Sequence, residues 1–347
     1  MKRLLFLVVL VGYAVAVNAQ SPNKLSSCYE PNIKKADEYY NKGDYRNAKA
    51  CYEKALKCSE AVRYKNGKAA RDGVAKCNQK LNAGAGKVTG GSNDVSTAPI
   101  ENNTFTISTD GKGNKEININ GVSFRMIYVE GGAFTMGCGD GEDCESDEFP
   151  AHSVTLSSYY IGETEVTQAL WRAVMGKEPE YNGGWTSGYG KGDNYPAYYI
   201  SYEDIKVFVA QLNRVTGLKF RMPTEAEWEF AARGGNKSFG YKYSGGDAPD
   251  KVACFEGGGG LQPVKKKRAN ELGIYDMSGN AYEWCADLYG EYDSSQQTNP
   301  QGPSSGKKRV LRGGDCISSY KDCRVANRSK NDSTNRGPSK GCRLAMD

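Results

Sequence analysis

Two cysteines near the end of the sequence are the residues with the clearest capacity for chemistry. Cys316 and Cys323 lie seven positions apart in the segment RGGDCISSYKDCR, residues 312–324. As thiolates, two cysteines can bind a soft metal such as Cu(I) or carry out redox chemistry. As oxidised thiols in an exported protein, they form structural disulfides instead. The residue types alone leave both interpretations open.

The start of the chain indicates export. Residues 1–19 combine a basic start, a short apolar run and a small-residue cleavage site, which together predict a secretory signal peptide rather than a membrane span. The mature protein is therefore expected to be periplasmic, at the cell surface or secreted.

Its 11 cysteines predict disulfides, and the odd number leaves at least one thiol unpaired within the chain. A single histidine, His152, excludes a multi-histidine metal site within one chain.

Charge is uneven along the chain. Residues 21–80 hold 14 Lys and Arg against 7 Asp and Glu, a balance of +7, whereas the whole chain carries +5. We interpret the basic head as a solvated helix surface in preference to a site for an anionic partner. No glycine-rich phosphate loop and no basic–aromatic interleaving is present in the sequence, so nucleotide and nucleic-acid binding are not expected.

The elements that must position the cysteines fall into a small helical segment and a larger body. Residues 20–81 predict helices, and the run 31–58 resembles one tetratricopeptide unit with a break at Gly43-Asp44, a type of segment that docks proteins. An antiparallel arrangement would bring Cys28 near Cys58 and Cys77 near Cys51. Residues 82–103 are rich in Gly, Ser, Thr and Asn and predict a flexible linker.

The body, residues 104–347, alternates short strands, short helices and long loops. The segments 104–108 and 116–129 alternate like strands. Ser201 is a predicted helix N-cap, and Thr224 with Glu227 predicts a capping box.

Eight motifs of the body occur in one order that resembles the formylglycine-generating enzyme, or sulfatase-modifying factor, family. This resemblance implies an α+β, loop-rich fold related to C-type lectin domains. The motifs are GGAFTMG (131–137), EFPAHSVTL (148–156), ETEVTQALWRAVMG (163–176), YPAYYISYEDIKVFVAQLN (195–213), RMPTEAEWEFAARGG (221–235), NELGIYDMSGNAYEW (270–284), RVLRGG (309–314) and GCRLA (341–345).

The active members of that family are similar to copper oxidases in which two cysteine thiolates bind Cu(I). By this resemblance Cys316 and Cys323 are the candidate catalytic residues, but their register departs from the family pattern. Asp315 stands where the family has Ser, and Tyr282 replaces an active-site Trp. We therefore expect no copper site of the family type. The alternative is a disulfide, either between the two or with Cys342.

The segment YDMSGNAYEW, residues 275–284, resembles a calcium loop of the family. The resemblance implies Asp276 and Glu283 as carboxylate ligands and Gly279 and Ala281 as carbonyl ligands, a hard-oxygen set that suits Ca²⁺. An acidic turn held by hydrogen bonds is the alternative. A second family calcium site is expected to be lost, because Cys254 replaces an Asn ligand.

Four arginines are predicted to bridge loops as scaffold: Arg312, Arg324, Arg328 and Arg343. His152 is predicted to make a structural hydrogen bond.

Two functions follow from the sequence. The first is a non-catalytic module of the cell envelope that binds a protein or glycan through the polar loop 315–340. The alternative is a copper-dependent oxidase that converts a sulfatase cysteine to formylglycine.

Overall fold

The computed structural model describes residues 22–61, 73, 76–77, 104–139, 143–256 and 260–347. The predicted signal peptide and linker lie outside the described residues, as does most of the segment 62–81 at the end of the predicted helical region. The chain divides into two compact units, Met1–Thr97 and Ala98–Asp347. Among the described helices, none combines the length and the apolar character that a bilayer crossing needs.

The first unit contains the two expected helices, α1 (Pro22–Asn41) and α2 (Tyr45–Ala61). Gly43 separates them with φ 78°, a left-handed conformation that glycine adopts without strain. Ala36 and Ala48 are fully buried between the helices. Small side chains at these positions allow the two helices to approach closely.

Cysteines of this unit partly match the expected pairing. Cys51 and Cys77 belong to one buried cluster, as the antiparallel arrangement predicts, but both are free thiols. The expected pairing of Cys28 with Cys58 concerns side chains outside the described residues.

The second unit contains three β-sheets. One sheet has six strands in the order β1-β2-β3-β6-β13-β7, another has four in the order β11-β10-β8-β12, and the third has three in the order β4-β5-β9. The strands are β1 (Phe105–Thr109), β2 (Lys115–Ile119), β3 (Val122–Val129), β4 (Gly132–Met136), β5 (His152–Leu156), β6 (Tyr159–Gly162), β7 (Phe220–Arg221), β8 (Tyr282–Leu288), β9 (Gln297–Thr298), β10 (Lys308–Arg312), β11 (Ser329–Asp332), β12 (Lys340–Gly341) and β13 (Ala345–Met346).

The expected strand over residues 116–129 is a hairpin of β2 and β3. Asn120 and Gly121 have φ values of 52° and 83° and form a two-residue turn. Asn-Gly is the sequence that favours such a turn, because both residues tolerate positive φ.

Two of the four described helices of this unit begin at the N-caps that the sequence predicts, Ser201 and Thr224. The four helices are α3 (Gln168–Met175), α4 (Tyr202–Thr216), α5 (Glu225–Ala232) and the short α6 (Pro249–Val252). Ser201 caps α4 and Thr224 caps α5, each within a complete capping box. The mixed architecture confirms the α+β fold class expected from the motifs.

Two large apolar clusters hold the second unit together. Trp171, Phe208 and Trp284 lie in one, and Trp228, Phe230 and Val310 lie in the other. Strands β8 and β10 contribute to both clusters. Because β10 and β12 both pair with β8, the chain between them is anchored at both of its ends.

Candidate functional site

Cys316 and Cys323 lie in different apolar environments. Cys316 is 3% exposed and belongs to the large cluster that includes Trp284 and Cys342. Cys323 is fully buried in a separate small cluster with Tyr243. Both are free thiols, as is Cys342, so the disulfide expected among these three cysteines is not formed. Separate packing explains why Cys316 and Cys323 do not pair, whereas Cys316 and Cys342 share one cluster and are nevertheless free thiols.

Neither thiol has the surroundings of a thiolate. Burial, with a smaller effect from the neighbouring Asp315 carboxylate, raises the pKa of the Cys316 thiol to about 12. Burial and Asp322 raise the pKa of Cys323 well above its usual value. The Cys323 thiol donates to the carbonyl of Ser319 at 3.7 Å. Both cysteines are therefore neutral at physiological pH in the metal-free protein, and a copper ion would have to displace both protons in order to bind.

Asp315 holds the start and the end of the following loop together. Its Oδ1 accepts from the backbone N–H groups of Ile317 at 3.1 Å and Ser318 at 2.8 Å, and from the Ser318 hydroxyl at 2.8 Å. Its Oδ2 accepts from the Ser339 hydroxyl. The Tyr282 hydroxyl lies 3.5 Å from that of Ser318. Asp315 and Tyr282 thus belong to one structural network.

The loop between Asp315 and Lys340 is only partly a surface. Ile317 is 65% exposed and Tyr320 is 41% exposed, and Ser319 caps a 3-10 helix at Tyr320–Cys323. Residues 323–328 are buried, which corrects the expectation that the whole polar segment forms a recognition surface. The exposed parts are residues 317–322 and 329–336.

Buried arginine–carboxylate pairs hold the loop onto the core, as expected for scaffold residues. Arg312 pairs with Glu229 and donates to three backbone carbonyls at residues 325–327. Arg328 donates to both oxygens of Glu225 at 2.7 and 2.9 Å. Planar guanidinium groups match carboxylates in this two-bond geometry. The arrangement fixes the backbone that carries the exposed loop segments.

Next to these pairs lies Asp287, which is 4% exposed. It accepts from the backbone N–H of Glu225 at 2.8 Å. Burial, followed by the negative charge of Glu225, raises the pKa of Asp287 to about 7. His152 lies at another edge of this region, where its Nδ1 is 3.0 Å from the carbonyl oxygen of Pro150 and its ring packs on Tyr292. These contacts give His152 the structural role that the sequence predicts.

The predicted calcium loop is a tight, largely buried turn. Asp276 is 6% exposed and has φ 59°, and Gly279 has φ 80°. A Cβ atom at residue 279 would lie 1.9 Å from the carbonyl oxygen of Cys254, so only glycine fits there. Ala281 is fully buried at the end of the turn, immediately before β8.

Glu283, the other predicted carboxylate ligand, is engaged by protein groups. Arg343 Nη2 donates to it at 2.7 Å and Arg343 Nε at 3.0–3.1 Å. The indole N–H of Trp228 donates to Oε2 at 2.6 Å. Glu283 is therefore part of the scaffold, whether or not it also contacts an ion.

The negative charge around this turn is not fully balanced. Glu165 is 2% exposed, and its Oε1 accepts from Asn280 at 3.0 Å. Its Oε2 is buried without a hydrogen-bond partner among the described residues. Burial, and then the carboxylates of Asp276 and Glu283, raise the pKa of Glu165 well above its usual value. Burial also raises the pKa of Asp276 to about 6. A bound divalent cation would relieve this unfavourable charge, so the residues present fit calcium.

Sequence reasoning missed the part played by Glu165. Its position in the ETEVT segment gave no sign of contact with a turn more than 100 residues later, since Glu165 and Asn280 are 115 residues apart.

Sequence reasoning also missed the disulfide between Cys138 and Cys144. Their sulfurs and a carboxylate oxygen of Glu148 lie within 4.8 Å of one another. The disulfide occupies both sulfurs, and Glu148 is held by Arg324 at 2.6 and 2.7 Å. This group is consequently a structural cross-link rather than a metal site.

The second unit matches a known family of protein domains and is similar to several known proteins. Residues 118–347 match the family described as the sulfatase-modifying factor enzyme 1-like domain. Chaperone protein LppX of Paenibacillus barcinonensis is 30% identical over 275 residues, covering 64% of this chain and 89% of that protein. The formylglycine-generating enzyme of Streptomyces coelicolor is 29% identical over 287 residues, covering 64% of this chain and 89% of that enzyme.

A solved structure shows the same fold. Treponema denticola variable protein 1 superimposes with a TM-score of 0.59 at 30% identity, covering 67% of this chain and 98% of that chain. Proteins described as a chaperone, an enzyme and a variable protein therefore share this scaffold.

Proposed function

Because the chain belongs to the family of sulfatase-modifying factor enzyme 1-like domains, we propose that it is a non-catalytic binding module of the cell envelope. The recognition surface consists of the exposed loop segments 317–322 and 329–336. A fold of this family hosts different functions, so the argument depends on the site. The observation that carries the proposal is the separate burial of Cys316 and Cys323 as neutral thiols.

The oxidase alternative, which the similarity to a formylglycine-generating enzyme favours, needs two thiolates at one copper ion. Here Asp315 ties its loop to Ser339, and each cysteine packs in its own apolar cluster. A copper site would require both thiols to leave these clusters and to ionise. The local packing therefore supports binding rather than oxidation.

An activity assay tests this choice directly. The reduced protein, supplied with Cu(I) and a cysteine-containing sulfatase peptide, should consume no oxygen and form no peptide aldehyde. The Streptomyces coelicolor enzyme serves as the positive control under the same conditions. Aldehyde formation that disappears in Cys316→Ser or Cys323→Ser would overturn the non-catalytic assignment.

We also propose that the turn from Asp276 to Glu283 binds calcium. Asp276 and the carbonyl groups of Gly279 and Ala281 would hold the ion, with Glu283 contributing an oxygen while it keeps Arg343. The ion would supply positive charge beside Glu165 and lock the turn. This assignment gives calcium a structural role beneath the recognition loop.

The helical unit and the export signal complete the proposal. α1 and α2 form a hairpin with small buried alanines, which supports a tetratricopeptide-like docking element. Residues 1–19 direct the chain out of the cytoplasm. Docking by one unit and recognition by the other would place the binding loop at a partner in the envelope.

Binding can be measured with envelope preparations from the producing cells. Labelled full-length protein should bind in a saturable manner, and Ile317→Ser with Tyr320→Ala should weaken that binding. Ile107→Ser provides a matched control, because Ile107 is 41% exposed on strand β1, outside the two loop segments. Equal binding of the loop variant and the wild type would exclude the loop as the recognition surface.

A further inference from the structure

Three tyrosines form a connected aromatic surface beside the C-terminal loop. The ring centroids of Tyr181 and Tyr199 are 5.6 Å apart, and those of Tyr189 and Tyr199 are 6.0 Å apart, both edge to face. The guanidinium of Arg336 lies over the Tyr181 ring at 5.7 Å. We call Tyr181, Tyr189, Tyr199 and the ion pair of Arg336 with Asp204 the tyrosine face.

The tyrosine face presents both ring surface and unused hydroxyl groups. Tyr181 is 43% exposed and Tyr189 is 45% exposed, while Tyr199 is buried beneath them. No hydrogen bond joins the hydroxyl groups of these three tyrosines to any other residue in the described part of the chain. Tyrosine offers a rigid apolar surface with one polar tip, at a small cost in conformational entropy.

The backbone of Tyr199, the central tyrosine of the face, is strained and is held by the C-terminal loop. Tyr199 has φ 55°, a left-handed conformation that is uncommon for a bulky side chain. Its N–H donates to the carbonyl of Gly337 at 3.0 Å, which holds the strained residue against the C-terminal loop. Strained residues persist where the surrounding structure requires them, and they concentrate at functional sites.

The charge of the tyrosine face is internally balanced. Arg336 donates two bonds of 2.7 Å to Asp204, and about one third of each side chain is exposed. Asp204 also accepts from Ser201 in the capping box of α4, which fixes its position. The face therefore offers polar edges without net charge.

The tyrosine face is continuous with the proposed recognition surface. Arg336 ends the exposed segment 329–336, and the N–H of Glu203 donates to the carbonyl of Ser333 at 3.4 Å. A ligand seated on the tyrosines would consequently contact the C-terminal loop as well.

We infer that the tyrosine face binds the pyranose rings of an uncharged saccharide. The apolar C–H face of a pyranose stacks on an aromatic ring, and its hydroxyl groups bond to tyrosine hydroxyls and to a planar arginine–carboxylate pair. The face supplies each of these groups within one patch. This inference rests on the proposed binding function and names its ligand class.

A polypeptide ligand fits the face less well. A charged peptide would have to compete with the pairing of Arg336 and Asp204, and an apolar segment would leave the tyrosine hydroxyls and this pair without partners. A neutral polyhydroxylated ligand satisfies the rings and the polar groups together.

Saturation-transfer NMR on the full-length protein tests the inference, with cellotetraose, maltotetraose and chitotetraose as probes. At least one of them should receive magnetisation at its ring C–H protons. Tyr181→Ala and Tyr189→Ala should each weaken its binding about tenfold or more. Tyr181→Phe should lose less than Tyr181→Ala, because the ring remains.

Tyr128→Ala is the matched control, since Tyr128 is 38% exposed and packs on Tyr160 at a distant sheet. Its saccharide binding should equal that of the wild type, and circular dichroism checks that every variant is folded.

No transfer to any probe, or equal transfer in the wild type and both alanine variants, would overturn the inference. So would tyrosine-dependent binding of a proline-rich peptide without binding of any saccharide. If envelope binding still depends on Ile317 and Tyr320 in those cases, the proposed function survives and only the ligand class is wrong.

Discussion

Arg324 and Glu148 form a fully buried, two-bond ion pair that joins segments 176 residues apart in the sequence. The bonds measure 2.6 and 2.7 Å, and the side chains are 4% and 0% exposed. The pair connects the 3-10 helix at Ser146–Glu148, next to the Cys138–Cys144 disulfide, with the buried part of the C-terminal loop. The recognition loop is thus held by charge as well as by apolar packing.

Removing one partner of this pair should be strongly destabilising. Glu148→Gln leaves the Arg324 guanidinium buried without its counter-charge, and we expect a loss of about 3–5 kcal/mol in the free energy of unfolding. Urea denaturation measures it. Lys206→Ala breaks an exposed pair with Glu203 and should cost less than about 1 kcal/mol. Similar losses for both variants would contradict the account.

Stability should fall as pH rises because of Asp287. Its folded pKa of about 7 lies above the value of about 3.9 in an unfolded chain. Between about pH 4 and pH 7 the folded state keeps a proton that the unfolded state has released, so the free energy of unfolding decreases through this interval. Asp287→Asn should remove this contribution, which is up to about 4 kcal/mol, and be more stable than the wild type at pH 8. Unfolding curves across this pH range, with the exposed Asp332→Asn as control, give the answer. If the free energy of unfolding of Asp287→Asn falls with pH as steeply as that of the wild type, the prediction is wrong.

The buried thiols should resist modification in the native protein. With a pKa of about 12, the ionised fraction of Cys316 at pH 8 is on the order of 10⁻⁴, and burial slows access further. Iodoacetamide labelling followed by peptide mass spectrometry should leave Cys316 and Cys323 unmodified until urea is added. Rapid native labelling of either cysteine would show that the thiols are exposed and reactive.

Calcium should stabilise the second unit through Asp276. A ligand at a hundredfold above its Kd stabilises the folded state by about 2.7 kcal/mol, so chelation should lower the melting temperature. Asp276→Asn should abolish the calcium effect, whereas Asp332→Asn should retain it. Glu283 is unsuitable for this test, because its replacement would also break the buried contacts with Arg343 and Trp228. If the melting curves with calcium and with chelator are identical, the turn binds no calcium and is held by hydrogen bonds alone.

Local features of the fold could be predicted from sequence because both partners are close together. Ser201 with Asp204, and Thr224 with Glu227, lie three residues apart, so a capping box is visible in the sequence. The order of the motifs predicted the fold class, although no single motif specifies the sheet order. The Asn120-Gly121 dipeptide is likewise a local sequence signal for the turn between β2 and β3.

Long-range features could not be predicted in the same way. The sequence predicted Arg324 and Arg328 as scaffold residues, but it could not identify their partners, because Glu148 and Glu225 lie far away in sequence. Asp315 was visible only as a departure from the family pattern, since Ser339 is 24 residues distant. Cysteine pairing likewise does not follow from spacing alone.

The placement of β13 has a consequence for the order in which the domain can assemble. Ala345 pairs with Ile161 of β6 on one side and with Arg221 of β7 on the other. Until residues 345–346 have been synthesised, the six-stranded sheet lacks an inner member, and β6 exposes an unpaired edge to neighbouring chains. Because contacts between residues distant in sequence form slowly, the six-stranded sheet closes only when β13 has inserted between β6 and β7. A chain in which β13 has not yet inserted therefore presents an unpaired strand edge that can pair with another copy of the chain.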